Sequence, residues 1–238
     1  MPDAIDELLA SYPRQRPSLP EKQAAIYAEE YKKNRQGSGL MSSLAQKAEG
    51  WMHACVAAGG VAGPTLELGA GTLNHVPHES PYLKEWGYDI VEPQTHLYED
   101  SPHRGVVRDA FADISEIPGN RTYARIISVA VLEHLDDLPG VLRQLRDRLR
   151  PGGVTQHGIP SEGGFLWGLG WRMTTGLSYR LRTGHSYRRL MRHEHLSNSE
   201  EIARVFRHTF GDEVVQHRFP TQLRHGSLYT YLEAQTVM

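Results

Sequence analysis

The sequence predicts an α/β protein that is built on a mostly parallel β-sheet. Four short apolar runs have the length of buried strands, and they lie within 65–68, 87–92, 105–107 and 123–129. Turn residues and a helical pattern follow these runs. Strand, turn and helix in repeated order form βαβ units, whose strands lie parallel. Ligands of such sheets bind in a crevice at the carboxyl ends of the strands, so the residues just after each strand are the first candidates for a site.

Length and composition limit what kind of protein this is. With 238 residues, of which 39% are hydrophobic, the chain can bury one sizeable core, and one domain with an appendage is expected. The formal net charge of −2 gives no general reason to bind nucleic acid or an anionic membrane. Cys55 is the single cysteine, which excludes an internal disulfide and a thiolate zinc cluster. The sequence has no run of 18 apolar residues and no apolar leader, so a soluble, cytoplasmic protein is expected.

A helical segment is predicted to precede the sheet. Residues 21–34 and about 40–58 have a helical composition, and a glycine-containing break at 37–39 separates them. Tyr27 and Tyr31 are four residues apart, so they share one face of the first helix.

The first strand runs directly into a glycine-rich turn. Residues 65–72 read Thr-Leu-Glu-Leu-Gly-Ala-Gly-Thr, so Gly69 and Gly71 flank a single alanine. Glycine adopts the unusual φ values of tight turns and lets a ligand approach the main chain closely. The dinucleotide fingerprint G-x-G-x-x-G is not matched, because Asn74 stands where its third glycine would be. The turn therefore predicts a cofactor loop of another kind.

The second strand ends on an acid, Glu92. A carboxylate at a strand end can accept two hydrogen bonds from the vicinal hydroxyls of a ribose, which a neutral side chain does less well. Glu92 is therefore predicted to hold a ribose. It stands 25 residues after Glu67, and a longer loop at 74–81 accounts for that separation.

Taken in order, these segments resemble the class I S-adenosylmethionine-dependent methyltransferases. Motif I of that family, E/D-x-G-x-G, is matched by Glu67, Gly69 and Gly71. Residues 123–135 are similar to the family's fourth strand, an apolar run with a serine that is followed by Val-Leu-Glu-His, and a Leu-Arg-Pro-Gly-Gly-Val run resembles the start of its fifth strand. Arg125 departs from the pattern, since the family usually has an aspartate before the isoleucines. The resemblance covers residues 64–160.

The resemblance implies a Rossmann-like, mostly parallel seven-stranded sheet with helices on both faces and an antiparallel last strand. It also implies a helical N-terminal segment, or lid, at 1–62 and a methyltransferase domain at 63–238. An insertion after strand five is expected at 161–197. The last two strands are expected at 213–215 and 228–232, as an antiparallel pair.

The same resemblance implies S-adenosylmethionine as the cofactor and gives roles to residues at the strand ends. Glu92 takes the ribose, Asp109 takes the adenine amino group, and Phe111 covers the adenine ring. A tyrosine or arginine of the N-terminal segment reaches the methionine carboxylate, with Tyr31 and Arg35 as candidates. The predicted cofactor residues are Tyr31, Arg35, Glu67, Gly69, Ala70, Gly71, Glu92, Asp109, Ala110, Phe111, Val129 and Ala130.

The predicted insertion at 161–197 is basic and aromatic. It holds six Arg and two Glu, which gives a local charge of +4 in a chain that is net acidic. Guanidinium groups bind phosphate or carboxylate and stack on aromatic rings, so a small-molecule acceptor is expected here, with an anionic acceptor as one option. Contact with a membrane surface is the alternative, and it is less favoured because five glycines break the apolar face. The predicted substrate residues are Trp167, Arg188, Arg189, His193 and His195.

Histidines after strands four and five are the candidate catalytic residues. Methyl transfer from a sulfonium needs mainly alignment of the acceptor and, for a hydroxyl, removal of its proton, and histidine is the base best matched to neutral pH. His134, just past the fourth strand, is the first candidate, and His157, at the end of the fifth, is the second. His193 and His195 have a spacing that suits metal ligands, but no acidic or cysteine cluster accompanies them, so no metal site is predicted.

The leading functional hypothesis is methyl transfer from S-adenosylmethionine to a hydroxyl of a sugar, a glycolipid precursor or a secondary metabolite. One alternative is an NAD(P)-dependent oxidoreductase, which Asn74 and the lack of a Tyr-x-x-x-Lys pair disfavour. The other is a non-catalytic nucleoside-binding module.

Overall fold

Seven strands form one sheet in the computed structural model, which describes residues 4–27 and 43–236. The strands are β1 Thr65–Leu68, β2 Tyr88–Val91, β3 Val107–Phe111, β4 Tyr123–Val129, β5 Leu149–Pro160, β6 Val215–Pro220 and β7 Ser227–Gln235. All neighbours pair in parallel except β7, which runs antiparallel to both β5 and β6. The predicted α/β class, with a mostly parallel seven-stranded sheet and an antiparallel last strand, is confirmed.

The chain order of the strands reverses between β1 and β4. Across the sheet the order is β3-β2-β1-β4-β5-β7-β6, so the chain moves outward from β1 to β3 and then returns to the other side of β1. In open α/β sheets, a ligand crevice forms at such a reversal, outside the carboxyl ends of the strands. The fold therefore places the crevice just beyond the ends of β1, β2 and β4.

Helices cover both faces of the sheet, as predicted. Ile126 packs with Leu142 and Phe206 on one face, and its neighbour Ile127 packs with Val56 on the other, because successive side chains of a strand point to opposite faces. The helices are Ala4–Ala10, Ser43–Ala58, Leu83–Trp86, Thr95–Glu99, Leu138–Arg148, Phe165–Trp171, Leu177–Thr183, Tyr187–Glu194 and Ser199–Phe210. Shorter turns are the 3-10 turns Val76–His78, Arg104–Val106, Ile114–Glu116, Leu132–His134 and Arg224–Gly226, and the π-helical turn Arg172–Gly176.

The N-terminal segment is helical where the structure describes it. Residues 21–27 form the described part of the helix predicted at 21–34, and the helix predicted at about 40–58 is described as Ser43–Ala58. Tyr31 and Arg35 lie outside the described residues. Within the described ranges, no helix combines the length and the apolar character that crossing a bilayer requires.

A buried ion pair ties the sheet to the loop that follows β1. Arg125 of β4 is 1% exposed, and its guanidinium donates to both carboxylate oxygens of Glu79, at 2.8 and 2.7 Å. It also donates to Gln156 Oε1 at 2.6 Å and to the main-chain carbonyl of Val56, in the helix above the sheet. Burial opposes the charge of Glu79, but hydrogen bonds from His75 and Arg125 outweigh it and lower the pKa of Glu79 to about 2. The arginine that departs from the family pattern thus anchors both loop and helix.

Candidate functional site

The turn after β1 depends on its two glycines in different ways. Gly69 has a φ of +70° and Gly71 a φ of +51°, a region that other residues adopt at a cost. A Cβ on Gly69 would lie 2.5 Å from Cγ2 of Val131, so only glycine lets the turn close against the segment after β4. A Cβ on Gly71 would meet nothing within 4 Å. The turn is therefore packed at Gly69 and open at Gly71.

Glu92 lies beside this turn, at the end of β2. Its Oε2 accepts the N–H of Gly71 at 2.9 Å, its Oε1 accepts the N–H of Gln94 at 3.0 Å, and the residue is 4% exposed. Each carboxylate oxygen has a second lone pair that can accept a further hydrogen bond. The predicted ribose acid and the predicted cofactor loop are thus neighbours joined by a hydrogen bond.

Glu67, the acid of the motif, lies inside the protein. It is 2% exposed, and the hydroxyl of Tyr88 donates to its carboxyl group. Burial raises the pKa of Glu67 well above its usual range. Ala70, which is 1% exposed, belongs to the same enclosed layer. Glu67 and Ala70, both predicted cofactor residues, are therefore buried and support the glycine turn from inside the protein.

β4 ends on a residue with unusual backbone geometry. Ala130 has a φ of +55°, and its N–H donates to the Gly158 carbonyl at 2.8 Å. A left-handed conformation costs a non-glycine residue about 1–2 kcal/mol, and such strain is common at functional sites. The chain leaves the sheet here, which brings Val131 against Gly69. Val129 and Ala130 are both partly buried at this strand end.

β3 ends later than predicted, so Asp109 lies inside the strand. Phe111 lies next to Glu92, because its carbonyl accepts the Glu92 N–H at 2.9 Å. Asp109 pairs in register with Asp89, three residues before Glu92, and its carboxylate is ion-paired with Arg121. Asp109 is therefore held away from the edge where an adenine ring would lie. Ala110, between Asp109 and Phe111, packs below the glycine turn, in the apolar cluster that contains Ala70 and Leu73.

Asp113 lies just beyond the end of β3, four residues after Asp109. It is exposed, it follows the strand end by two residues, and its carboxylate accepts the Ser115 N–H at 2.9 Å as the cap of a 3-10 turn. The sequence signal was present, but β3 was predicted to end at residue 107, whereas it extends to Phe111. The end of β3 therefore lies four residues later than predicted.

His157 lies in the core, which contradicts its predicted catalytic role. The side chain is 0% exposed, Nδ1 is 2.7 Å from Ser128 Oγ, and Nε2 is 2.7 Å from Thr155 Oγ1. Burial lowers the pKa of His157 to about 3. Both ring nitrogens are occupied and enclosed, so neither can reach a bound acceptor.

His134 lies in a polar cluster with Glu133 and His195. The two imidazole rings meet edge to face with their centroids 4.8 Å apart, and His134 Nε2 is 3.8 Å from Glu133 Oε1. His134 Nδ1 donates to the Glu194 carbonyl at 2.9 Å, and His195 Nδ1 contacts the carboxylate of Glu162. Burial and the nearby His195 lower the pKa of His134 to about 4, whereas burial raises that of Glu133 to about 7. The structure thus brings the predicted catalytic residue His134 next to the predicted substrate residue His195. Glu133 and Glu162, which had no predicted role, belong to the same cluster.

His193 connects the insertion to the N-terminal segment. Its Nδ1 is 2.8 Å from the Pro17 carbonyl, and its ring meets that of Tyr27 edge to face with centroids 5.4 Å apart. Arg16 donates to the main-chain carbonyls of His134 and His193. The N-terminal segment therefore lies across the outer side of the cluster, and His193 contacts that segment.

The other predicted substrate residues lie on helices of the insertion. Trp167 is partly buried, its ring is 5.8 Å from that of Tyr229, and its indole N–H has no partner among the described residues. Arg188 and Arg189 are exposed on the helix Tyr187–Glu194. Among the residues that the structure describes, no hydrogen bond or ion pair connects these two arginines to the crevice.

The insertion also exposes an apolar stripe. Five large side chains recur every four residues and are between 38% and 79% exposed: Phe165, Leu169, Met173, Leu177 and Leu181. The glycines of this segment fall between the stripe positions, so the apolar face is longer than the sequence suggested. Membrane contact stays an untested alternative for this surface.

This chain is similar to known methyltransferases. A family model described as the methyltransferase domain matches residues 37–217, which is more than half of the chain. No curated protein matches the sequence.

Similar solved structures include an O-methyltransferase family protein from Burkholderia thailandensis, with a TM-score of 0.60 and 16% identity over 98% of this chain and 67% of that chain. An S-adenosylmethionine-dependent methyltransferase from Thermotoga maritima has a TM-score of 0.57 and 15% identity over 89% and 97% of the two chains. The N-methyltransferase NodS from Bradyrhizobium japonicum, in complex with S-adenosylhomocysteine, has a TM-score of 0.50 and 14% identity over 80% and 86%. At these identities the likeness shows the fold. With the family match, the chain belongs to the methyltransferase domain family and is an enzyme whose cofactor is S-adenosylmethionine.

Proposed function

We propose that this enzyme transfers the methyl group to a hydroxyl of a small-molecule acceptor, such as a sugar, a glycolipid precursor or a secondary metabolite. The observation that carries the proposal is the cluster of Glu133, His134 and His195 just past β4. Val131, two residues before Glu133, packs against the glycine turn, so the cluster lies close to the proposed cofactor loop. A polar cluster there suits an acceptor that must lose a proton when it attacks the methyl carbon.

The proposed cofactor contacts follow from the edge of the sheet. Glu92 would accept the ribose hydroxyls, the open side of Gly71 would admit the nucleoside, and Asp113 would accept the adenine amino group. Phe111 and Ala130 border the same edge. Contacts of Tyr31 and Arg35 with the methionine carboxylate remain predictions.

His134 has one ring nitrogen that can accept a proton from the acceptor. With its pKa at about 4 it is neutral at pH 7, and its Nδ1 proton is committed to the Glu194 carbonyl. The Nε2 lone pair is therefore the one that can accept a proton. In the proposed step, the acceptor hydroxyl gives its proton to Nε2, its oxygen bonds to the methyl carbon, the carbon–sulfur bond breaks, and S-adenosylhomocysteine leaves.

The N-terminal segment is proposed to act as a lid over this reaction. Arg16 donates to the His134 carbonyl, and Gln23 donates to the Ser186 carbonyl at 2.9 Å, so residues before the sheet contact both the cluster and the insertion. We retain 1–62 as the lid and 161–197 as the acceptor-binding insertion, with Arg188 and Arg189 available to an anionic acceptor. A cytoplasmic location also remains a prediction.

An acceptor panel tests the proposed function. The enzyme is incubated with S-adenosylmethionine and with sugars, nucleotide sugars, lipid-linked sugars, phenols and amines, and S-adenosylhomocysteine is measured. We expect turnover with a hydroxyl acceptor, and His134→Ala should lower it about 100-fold or more while the affinity for S-adenosylhomocysteine stays the same. His208→Ala, an exposed histidine on another helix, is the control. Turnover with amines alone would overturn the hydroxyl assignment.

Two aspartates near β3 test the adenine assignment. Asp113→Asn is expected to weaken S-adenosylhomocysteine binding by about 1–2 kcal/mol, because the amide no longer offers a charged acceptor to the adenine amino group. Asp109→Asn is expected to leave that affinity unchanged, since Asp109 pairs with Arg121. Isothermal titration calorimetry measures both. A loss of affinity in the Asp109 variant alone would restore the assignment made from the sequence.

A further inference from the structure

We propose that Glu133, His134 and His195 bind a divalent first-row transition metal ion, and we call these residues the metal triad. Two imidazoles and one carboxylate are a ligand set that suits zinc, iron, manganese or cobalt. The sequence predicted no metal site, because the acid that completes the set lies about 60 residues from His195 in the chain. The fold brings the three side chains together.

The distances between the side chains fit such a site. One ligand atom from each residue of the triad lies within 4.8 Å of the other two. A tetrahedral ion with bonds of about 2.0–2.1 Å holds its ligand atoms roughly 3.3 Å apart. Small side-chain rotations of about 1 Å at the ligand atoms would therefore close the triad around an ion.

The hydrogen bonds around the triad orient it toward a shared centre. His134 Nδ1 donates to the Glu194 carbonyl, and His195 Nδ1 contacts the Glu162 carboxylate. Each ring is therefore fixed through Nδ1, which leaves Nε2 as its free nitrogen. Metal-binding histidines in proteins have this arrangement, since the other ring N–H is held by a carboxylate or a carbonyl.

Glu133 supplies an independent observation. Its side chain is 2% exposed, and Oε2 has no hydrogen-bond partner among the described residues. A buried carboxylate oxygen without a partner is unfavourable, and a bound cation would remove that penalty. A protonated His195 paired with Glu162 would supply charge nearby, but it leaves Glu133 Oε2 without a hydrogen bond.

The backbone holds the two halves of the triad in place. Glu133 and His134 lie in the 3-10 turn Leu132–His134, and His195 directly follows the helix Tyr187–Glu194. The main-chain carbonyl of Glu133 accepts the N–H of Leu196 at 2.7 Å. Sites supported by main-chain bonds of this kind keep their geometry in the absence of the ligand.

Three protein ligands leave at least one coordination position open, as in catalytic metal sites. The His134 side chain is 36% exposed, so an ion and a further ligand can reach the site from solvent. If the proposed function is right, that ligand is the acceptor hydroxyl. The ion would lower the pKa of the bound hydroxyl, its proton would pass to solvent, and His134 would act as a ligand in place of a base.

Metal titrations of the full chain test the inference without any turnover. The protein is stripped with a chelator and titrated with Zn²⁺ by calorimetry and with Co²⁺ by visible absorption. We expect one tight site per chain. His195→Ala should weaken Zn²⁺ binding about 100-fold or more, and Glu162→Gln, which removes the negative charge beside His195 Nδ1, should weaken it about 10- to 100-fold. His193→Ala is the matched control, because His193 lies two residues away and contacts Pro17, and it should bind Zn²⁺ as the wild type does.

Absence of a tight site in the wild type, or equal losses in the His193 and His195 variants, would overturn the inference. Circular dichroism checks that each variant is folded, and His134→Ala replaces His195→Ala if the latter does not fold. S-adenosylhomocysteine binding is measured in the same samples. Cofactor binding without a metal site removes the inference alone, whereas a metal site without turnover on any hydroxyl acceptor removes the proposed function alone.

Discussion

Replacing Arg125 by Met is expected to lower the free energy of unfolding by about 3–5 kcal/mol. Arg125 and Glu79 are each 2% exposed at the side chain, and the guanidinium contacts both carboxylate oxygens. Without it, the carboxylate stays buried with His75 as a remaining partner. Water cannot replace the lost partner, so the loss exceeds that of a surface ion pair. Urea unfolding of the variant and the wild type, followed by circular dichroism, measures the difference.

Two further variants make this result specific. Arg146→Met removes an exposed contact with Asp147 at 3.3 Å and should cost less than about 1 kcal/mol. The double variant R125M/E79Q removes both charges and should recover part of the loss. Equal stability of R125M and R146M would show that the buried pair contributes nothing beyond a surface pair.

Low pH is expected to remove the stabilisation that the Arg125–Glu79 ion pair provides. Burial opposes ionisation of Glu79, but the bonds from His75 and Arg125 lower its pKa from 4.5 to about 2 in the folded protein. A carboxyl group whose pKa is lower in the folded state stabilises the fold above pH 4.5, and this stabilisation is lost as the pH falls toward 2. Free energies of unfolding measured across that interval should fall less steeply in R125M than in the wild type.

Replacing Gly69 by Ala is expected to destabilise the protein by about 2–5 kcal/mol, more than the same change at Gly71. Both positions have positive φ, which costs alanine about 1–2 kcal/mol. At Gly69 the new Cβ would also lie 2.5 Å from Val131 Cγ2, and overpacking of this kind adds about 1–3 kcal/mol. Gly71→Ala meets no neighbouring atom and should cost only the backbone strain. Urea unfolding measures both.

For cofactor binding, we expect Gly71→Ala to have a larger effect than Gly69→Ala. We propose that the nucleoside approaches the open side of Gly71, so Gly71→Ala should weaken S-adenosylhomocysteine binding by about tenfold or more while the protein stays folded. Adding Val131→Ala to Gly69→Ala should recover the part of the stability loss that comes from the clash. If both single variants lose stability equally and Gly71→Ala binds the cofactor as the wild type does, the two glycines have no separate roles.

The parts of this protein that local patterns encode could be predicted from the sequence. β1, β2 and β4 are short, mainly apolar runs, and the glycine turn and Glu92 follow their strands directly. A side chain at a strand end can be placed by counting, because all these ends meet at one edge of the sheet. The end of β3 was predicted too early because the strand contains the polar residues Arg108 and Asp109, so Asp113 follows the strand end instead of Asp109.

The parts that depend on contacts between distant segments could not be predicted. His157 was predicted at the end of β5, but the strand extends to Pro160, and Ser128, 29 residues away, and Thr155 occupy the two ring nitrogens of His157. His134 and His195 lie together because the Leu196 N–H donates to the Glu133 carbonyl. The hydrophobic periodicity of the sequence does not predict this contact. Arg125 was identified as a departure from the family pattern, but its partner Glu79 lies 46 residues away.

The order of the strands reverses between β1 and β4, and the residues proposed to bind the donor and the acceptor lie in separate parts of the chain on either side of this reversal. Residues proposed to grip the donor nucleoside lie at 69–113, before the chain crosses back over the sheet, and residues proposed to face the acceptor lie at 131–197, after the crossing. If these proposed roles are right, substitutions in the later stretch should change the acceptor while the affinity for the donor stays the same. In this proposal, one continuous stretch of the sequence determines which acceptor is methylated.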